Sequence, residues 1–238
     1  VQPASPQVIA DARAGRWQII LTPTKPVPQD WYGGPLSGRA LLCLASGGGQ
    51  QAPVLAAAGA RVTSYDYSAE QLALDDQVAA REGLALTTTP GDMADLSVFP
   101  DASFDLIVHP VSNVFSRVVR PVWLECFRVL RPGGRLLAGF MNPDYFLFDH
   151  FEIEAGGPLR VRYALPYSDA EDLPAARRQA LIEDNEAFEF SHSMNDQIGG
   201  QLDAGFLLHG FYEDRWTDEA TRLNAYMPTS MATLAVKP

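Results

Sequence analysis

Leu41-Leu42-Cys43-Leu44-Ala45-Ser46-Gly47-Gly48-Gly49-Gln50 is the stretch from which the rest of the chain is read. A short apolar run breaks into three glycines, and Ala52, Pro53, Val54 and Leu55 then open a helix. A buried strand passing through a Gly-rich turn into a helix N-terminus is the first unit of a nucleotide-binding α/β domain. Glycine is needed because the backbone turns sharply and a ligand approaches where a Cβ would stand. The next apolar run, Arg61-Val62-Thr63-Ser64-Tyr65, ends on Asp66. An acid at the tip of the second strand, about twenty residues beyond the first glycines, is placed to accept hydrogen bonds from ribose hydroxyls.

Downstream, strand and helix signals alternate. Ser68 as N-cap, Gln71 completing a capping box and Gly83 as C′ glycine bound a helix. Leu84 to Thr89 reads as the third strand, closed by Pro90-Gly91, with Asp92-Met93-Ala94-Asp95 at its carboxyl end. Phe104 to Val108 is the fourth, ending at His109-Pro110. A helix starts near Pro121 with Val122, Cys126, Val129 and Leu130 on one stripe; Arg131-Pro132-Gly133-Gly134 stops it before a fifth strand, Arg135 to Phe140. The alternation predicts a doubly wound, mostly parallel α/β sheet with right-handed crossovers. Ligands of such sheets bind at the carboxyl ends of the strands, where Gly47, Asp66, Asp92 and His109 all fall.

Upstream, residues 1–6 are polar and Pro-rich, carry no signal-peptide pattern and are expected to fray. A short helix over 5–14 and an extended piece, Trp17 to Leu21, follow. The prolines of Thr22-Pro23-Thr24-Lys25-Pro26-Val27-Pro28 forbid helix. Lys25, Trp31 and Tyr32 are pocket candidates if this segment folds over the ligand end; otherwise the aromatics cap the core. Beyond Phe140, Asn142, Tyr145, Phe146, Phe148, His150 and Phe151 make an aromatic connection. Leu159, Val161, Tyr163 and Leu165 alternate with polar or small residues, and Phe188, Phe190 and His192 share a face by the same period. These predict an inserted strand pair around an acidic helical stretch, 169–185, covering the pocket. Ser193 and Asp196 cap a last helix ending at Gly205; Phe206 to Tyr212 and Met231 to Val236 form an antiparallel pair. The chain is therefore divided, within one domain (1–238), into a cover (1–37), a cofactor core (38–141), an insert (142–192) and the last helix and strands (193–238).

The net charge of −11 repels polyanions and speaks against nucleic-acid binding. No apolar run approaches a membrane span. The two cysteines, Cys43 and Cys126, lie in apolar contexts, which suits free thiols in a reducing cytoplasm, and no metal-ligand spacing occurs. No pattern fixes an oligomeric state.

The Gly-rich turn, Asp66, Gly91-Asp92-Met93, Phe104-Asp105-Leu106-Ile107 and Leu130-Arg131-Pro132-Gly133-Gly134, in this order, resemble the class I S-adenosylmethionine-dependent methyltransferases. The likeness is greatest to small-molecule enzymes of the ubiquinone/menaquinone-biosynthesis type, and it covers about residues 38–141. It implies a seven-stranded Rossmann-like sheet and S-adenosylmethionine as cofactor. It also implies that Ala45, Ser46, Gly47 and Gly49 pass the methionine part, Asp66 holds the ribose and Tyr67 flanks the adenine. Asp92 and Met93 would contact the ring, with His109 and Pro110 lining the floor near the sulfonium. Two positions depart from the family. Cys43 stands where an acid is usual, and Ala45 stands where glycine is usual and keeps the turn if its φ is negative.

The reaction so implied is methyl transfer to a small molecule by in-line displacement, which depends chiefly on alignment and exclusion of water. His109 and His192 are the candidate proton acceptors, each also readable as a packed or pocket-lining residue. Tyr32, Asn113, Asn142 and Tyr145 are candidates to orient the acceptor. Two alternatives stand beside this reading. Gly47, Gly49 and Ala52 satisfy the G-x-G-x-x-A pattern of an NAD(P)-dependent oxidoreductase, and Cys43 motivates a cofactor-binding regulatory domain without catalysis.

Overall fold

The computed structural model describes residues 2–217 and 219–238. Five segments form parallel strands: β1 (Ala40–Leu44), β2 (Arg61–Asp66), β3 (Leu86–Pro90), β4 (Phe104–His109) and β5 (Leu130–Met141). The last strands, β6 (Leu207–Asp214) and β7 (Ser230–Val236), complete a seven-stranded sheet of order β3-β2-β1-β4-β5-β7-β6. β7 runs antiparallel to both neighbours, as expected for a connection too short for a helical crossover.

Side chains alternate across the sheet and so feed two cores. Leu41, Cys43, Val62, Leu106 and Val108 face one side, where Ile9 and Ala12 of α1 (Pro6–Arg13), Leu55 of α2 (Gln51–Ala57) and Val78 of α3 (Ala69–Glu82) cover them. Leu42, Leu44, Ile107 and Leu136 face the other, against Val122, Trp123, Cys126 and Val129 of α4 (Arg120–Val129). The boundaries of α3 follow its caps: the Ser68 hydroxyl accepts the Gln71 N–H and Gly83 adopts φ 63°. The reciprocal half of the expected capping box is replaced. Asp66 Oδ1 already takes the Ser68 N–H at 2.9 Å, so Gln71 has no donor there to meet.

Three expectations are corrected. First, the start of the chain is anchored: the Ala4 N–H donates to Gly49 O at 2.6 Å, and Pro3 lies against Gly49. Val1 lies outside the described residues. Second, Leu159–Leu165 and Phe188–His192 are not strands. Val161 bridges Phe148 in isolation and is 65% exposed, and Phe190 bridges Ser168. Alternation makes a strand only where another strand offers a ladder, and none runs beside these segments. Third, the acidic stretch divides at Pro174 into α6 (Asp169–Asp172) and α7 (Ala175–Glu183), after a short α5 (His150–Glu154). The insert folds instead around its aromatic residues. Phe146, Tyr167, Leu173 and Leu181 pack with Val114 and Met141 of the core. The last helix opens with a wide turn (Asn195–Gly199) and continues as α8 (Gly200–Asp203), with Ser193 and Asp196 capping each other.

Residues 20–25 form a strap across the carboxyl ends of the strands. Ile20 O accepts from Gln51 Nε2, Leu21 O accepts the Val111 N–H, and a Cβ at Gly139 would lie 2.2 Å from Leu21 O. Its far end is fastened by Asp214, 4% exposed, which accepts from Thr22 Oγ1 (2.7 Å), the Thr24 N–H (2.9 Å) and hydroxyl (2.6 Å), and the Lys25 N–H (2.9 Å). Burial pushes this carboxyl up, but the bonds from Thr24, Thr22 and Lys25 outweigh it and hold it down at about 2. A folded-state value below the unfolded 3.8 means stability that is present above about pH 4 and lost as pH falls toward 2. Asp214→Ala strands one buried donor, the Thr22 hydroxyl, and the part-buried donors of Thr24 and Lys25. It should cost about 2 kcal/mol, lowering the melting temperature by about 4–8 °C at pH 7 and by much less at pH 2. An equal loss at both pH values would contradict this account.

Candidate active site

Every N–H of the Gly-rich turn that points back into the protein is held by β2 or α3. Ala45 N donates to Tyr65 O (2.7 Å), Gly47 N to Asp66 Oδ2 (2.9 Å), Gly48 N to Gln71 O (3.0 Å) and Gly49 N to Asp75 Oδ1 (2.7 Å). A Cβ on Gly47 would stand 2.7 Å from Gln71 Cβ and 3.2 Å from Asp66 Oδ2, so the turn requires glycine there. Ala45 corrects an expectation: its φ is +47°, in the left-handed region. That conformation costs an alanine about 1–2 kcal/mol. Ala45→Gly should therefore raise the melting temperature by about 2–4 °C, corresponding to about 1 kcal/mol after glycine's own entropy loss. A lower melting temperature would show the strain to be absent.

At the tip of β2, Asp66 bridges the turn and α3 by accepting from Gly47 and Ser68, and Tyr67 beside it is 83% exposed. At the tip of β3, Asp92 Oδ1 accepts the Ala94 N–H at 2.9 Å, and Met93 packs into the core beside Tyr65. Gly91 lets the two tips close: a Cβ there would overlap Tyr65 Oη, which donates to Asp95 O at 2.8 Å. β1 and β4 are paired only as far as Cys43 and Val108. The strand order reverses between these two strands, and His109 spans the opening past their last pair, its Nδ1–H donating to Leu44 O at 2.9 Å. That bond sets the tautomer and leaves Nε2 an acceptor. The ring is fully buried, edge-on to Trp123, and burial pushes its pKa down to about 4, against the Leu44 bond and the charge of Asp66. It is neutral at pH 7. Pro110 follows it, its carbonyl held by Ser112 Oγ at 2.9 Å.

The other sequence candidates are placed as follows. His192 Nε2 is bonded to Asn113 O at 3.0 Å, bracing the loop after β4, and burial lowers its pKa. Asn113 exchanges bonds with Gln197 (2.9 and 3.3 Å), so its amide is already engaged. Asn142 donates to Pro228 O and accepts the Asp144 N–H, which fixes the start of the insert. Tyr145 stacks on His150 with ring centroids 3.7 Å apart, and His150 Nε2 is buried without a partner. Tyr32 is not brought to the site. It is 1% exposed, packs edge-on against Trp17, and its carbonyl is held by Arg39 at the amino end of β1. Trp31 lies against Tyr212, and the Lys25 ammonium donates to Glu213 O.

Two residues escaped the sequence reading. Asp75, fully buried, holds Gly49 and, through Oδ2, the Ser64 hydroxyl at 2.6 Å. Its signal was legible as an acid on the apolar stripe Leu72, Asp75, Val78 of α3. Glu189, half-buried in the insert, is pushed up to about 7 by burial and by Asp169.

The comparisons with known proteins agree with this geometry. A family model described as a methyltransferase domain matches residues 42–138. The uncharacterized methyltransferase YbaJ of Bacillus subtilis is 54% identical over 231 residues, spanning 97% of this chain and 89% of that protein. The chain belongs to the S-adenosylmethionine-dependent methyltransferases. A demethylmenaquinone methyltransferase of Tropheryma whipplei is 31% identical over 137 residues, 56% of this methyltransferase and 52% of the relative. A solved S-adenosylmethionine-dependent methyltransferase from Mesorhizobium loti shares the fold at a TM-score of 0.65 and 18% identity, over 86% of this chain and 93% of that one. The methyltransferase is thus an enzyme whose cofactor is S-adenosylmethionine, and the oxidoreductase and non-catalytic alternatives are set aside. The residues present fit that cofactor. Ser46 Oγ and His109 Nε2 are buried without partners beside the turn, the Gly47 position admits no Cβ, and carboxylates stand at the tips of β2 and β3.

Proposed function

We propose that this methyltransferase transfers a methyl group by in-line displacement to a small, largely apolar acceptor. The acceptor would be seated between the carboxyl ends of β4 and β5 and the insert, residues 142–192. The observation that carries this reading is the aromatic cluster of Phe146, Tyr167 and their neighbours, which packs on Met141 at the end of β5 and on Val114 just beyond β4. Relatives of the cofactor core named as demethylmenaquinone and sterol methyltransferases support an acceptor of this character. The charge of −11 supports a small molecule over a nucleic acid. Among the described residues no helix is long and apolar enough to cross a membrane. A cytoplasmic location belongs to the same reading, supported by the free buried thiols of Cys43 and Cys126.

In this reading Ala45, Ser46, Gly47 and Gly49 receive the methionine part of the cofactor. Asp66 receives the ribose hydroxyls, Tyr67, Asp92 and Met93 receive the adenine, and His109 and Pro110 form the floor. The bound cofactor supplies a methyl group already activated by its sulfonium. The chain's work is to align the acceptor and keep water out, worth up to about 7–11 kcal/mol of the barrier. His109 Nε2 is the acceptor atom that can hold a substrate proton or hydroxyl near the floor. His192 acts by holding the Asn113 loop, and Tyr145 offers the acceptor a hydroxyl at the mouth of the insert. The test is to incubate the enzyme with S-adenosylmethionine and a panel of phenols, quinols and lipophilic amines, and to follow S-adenosylhomocysteine by mass spectrometry. Product formed only with protein or RNA added would overturn the reading.

A further inference from the structure

Asp75 keeps a carboxylate where the fold needs only hydrogen bonds. It accepts from the Gly49 N–H and the Ser64 hydroxyl, and an asparagine could accept the first and donate to the second. A charge here works against folding: burial pushes Asp75 up to about 6, although the Ser64 and Gly49 bonds pull it down. The ionisable groups around it give no relief. Asp66 at the tip of β2 and Asp76 on α3 repel it, and the Cys43 thiol on β1, pushed up chiefly by its burial, is pushed further by Asp75. Among the described residues no cation pairs with this buried negative charge, which stands among acids and bonds the turn's last glycine.

We infer that Asp75 is a positioning residue for the methionyl end of the cofactor, supplying from α3, through the Gly49 turn, the negative charge that Cys43 does not supply from β1. This rests on the placement of that end along Ala45–Gly49, and the cation it answers is the cofactor's ammonium. The turn's shape and its charge are thus set by one side chain, while the β1 position is left free to be apolar.

The test is calorimetric titration with S-adenosylhomocysteine and with methylthioadenosine, which lacks the amino-acid end. Asp75→Asn should weaken the first about tenfold and the second less than about twofold, the loss of one charge-assisted contribution. Its melting temperature at pH 8 should not fall below that of wild type. Adding Cys43→Asp to Asp75→Asn should recover part of the lost affinity. If Asp75→Asn does not fold, wild type alone decides: its affinity for S-adenosylhomocysteine should fall between pH 8 and 5 while that for methylthioadenosine stays level. Glu189→Gln serves there as a control for a second carboxyl pushed up into this range. Equal losses for both ligands, or no loss for either, would reduce Asp75 to a structural bond and overturn the inference. Wild type binding both ligands equally would instead remove the placement of the methionyl end, and the inference with it.

Discussion

Asp66→Ala should bind S-adenosylhomocysteine about a hundredfold more weakly than wild type. Two charge-assisted hydrogen bonds to vicinal hydroxyls contribute about 1.5–3 kcal/mol each, and water entering the vacated space returns part of that. A net loss near 3 kcal/mol is about two orders of magnitude in affinity. The structure adds a second source of loss, because Asp66 also accepts the Gly47 and Ser68 N–H groups. The alanine variant therefore frees the turn and the start of α3 together, and it should melt lower as well. Asp66→Asn should lose less. Its amide oxygen still accepts one of the two N–H groups, but its NH2 then faces the other, donor against donor. A residue that merely caps α3 would lower stability and leave affinity near normal, so calorimetry beside unfolding curves separates the roles. An alanine variant with wild-type affinity would remove the ribose assignment.

Replacing residues 159–189 by a short Gly/Ser linker should abolish turnover, by about three orders of magnitude or more, while leaving the affinity for S-adenosylhomocysteine within about fivefold. The segment supplies Tyr167, Leu173 and Leu181 to the aromatic cluster but no bond to the Gly-rich turn, Asp66 or Asp92. Its ties to the core are local: Phe190, kept in the variant, donates to Val114 O, and Arg117 pairs with Glu171. Removal exposes Val114 and Met141, so some loss of stability is expected. Lost cofactor binding in a variant that still folds would assign the segment to the cofactor site instead.

The central parallel strands β1 and β4 were legible because they are buried on both faces and read as apolar runs between Gly, Pro and Asp punctuation, while the Thr-rich edge strand β3 was legible from its β-branched residues and the Pro-Gly that closes it. Asp66, Asp92 and His109 were legible for a related reason: a side chain at a strand's carboxyl end needs no knowledge of packing to be placed. The insert was not legible at the same level. The alternation in Leu159–Leu165 describes a strand that would need a partner, and the chain spends those residues crossing exposed surface instead. Ala45 failed for want of backbone geometry, since alanine in a left-handed turn is unusual enough that the expectation went the other way. Tyr32 was assigned by proximity in sequence to a ligand-end segment, but its own turn (Gln29–Tyr32) leads down to the amino end of β1.

The fastening of Thr22, Thr24 and Lys25 to Asp214 gives the molecule an order of completion. During synthesis the glycine turn and the strands through β5 emerge long before residue 214 does, so the strap can be held early at Ile20 and Leu21, but its far end, Thr22 to Lys25, has nothing to be tied to. The entrance to the catalytic end of the sheet therefore takes its final shape only when the last hairpin of the chain, β6 and β7, has paired. A chain cut short before Leu207 would retain the Gly-rich turn and both acidic strand tips while leaving residues 22–25 without the carboxylate that fastens them. The chain's last strands thus act as the latch on a segment that precedes its first strand.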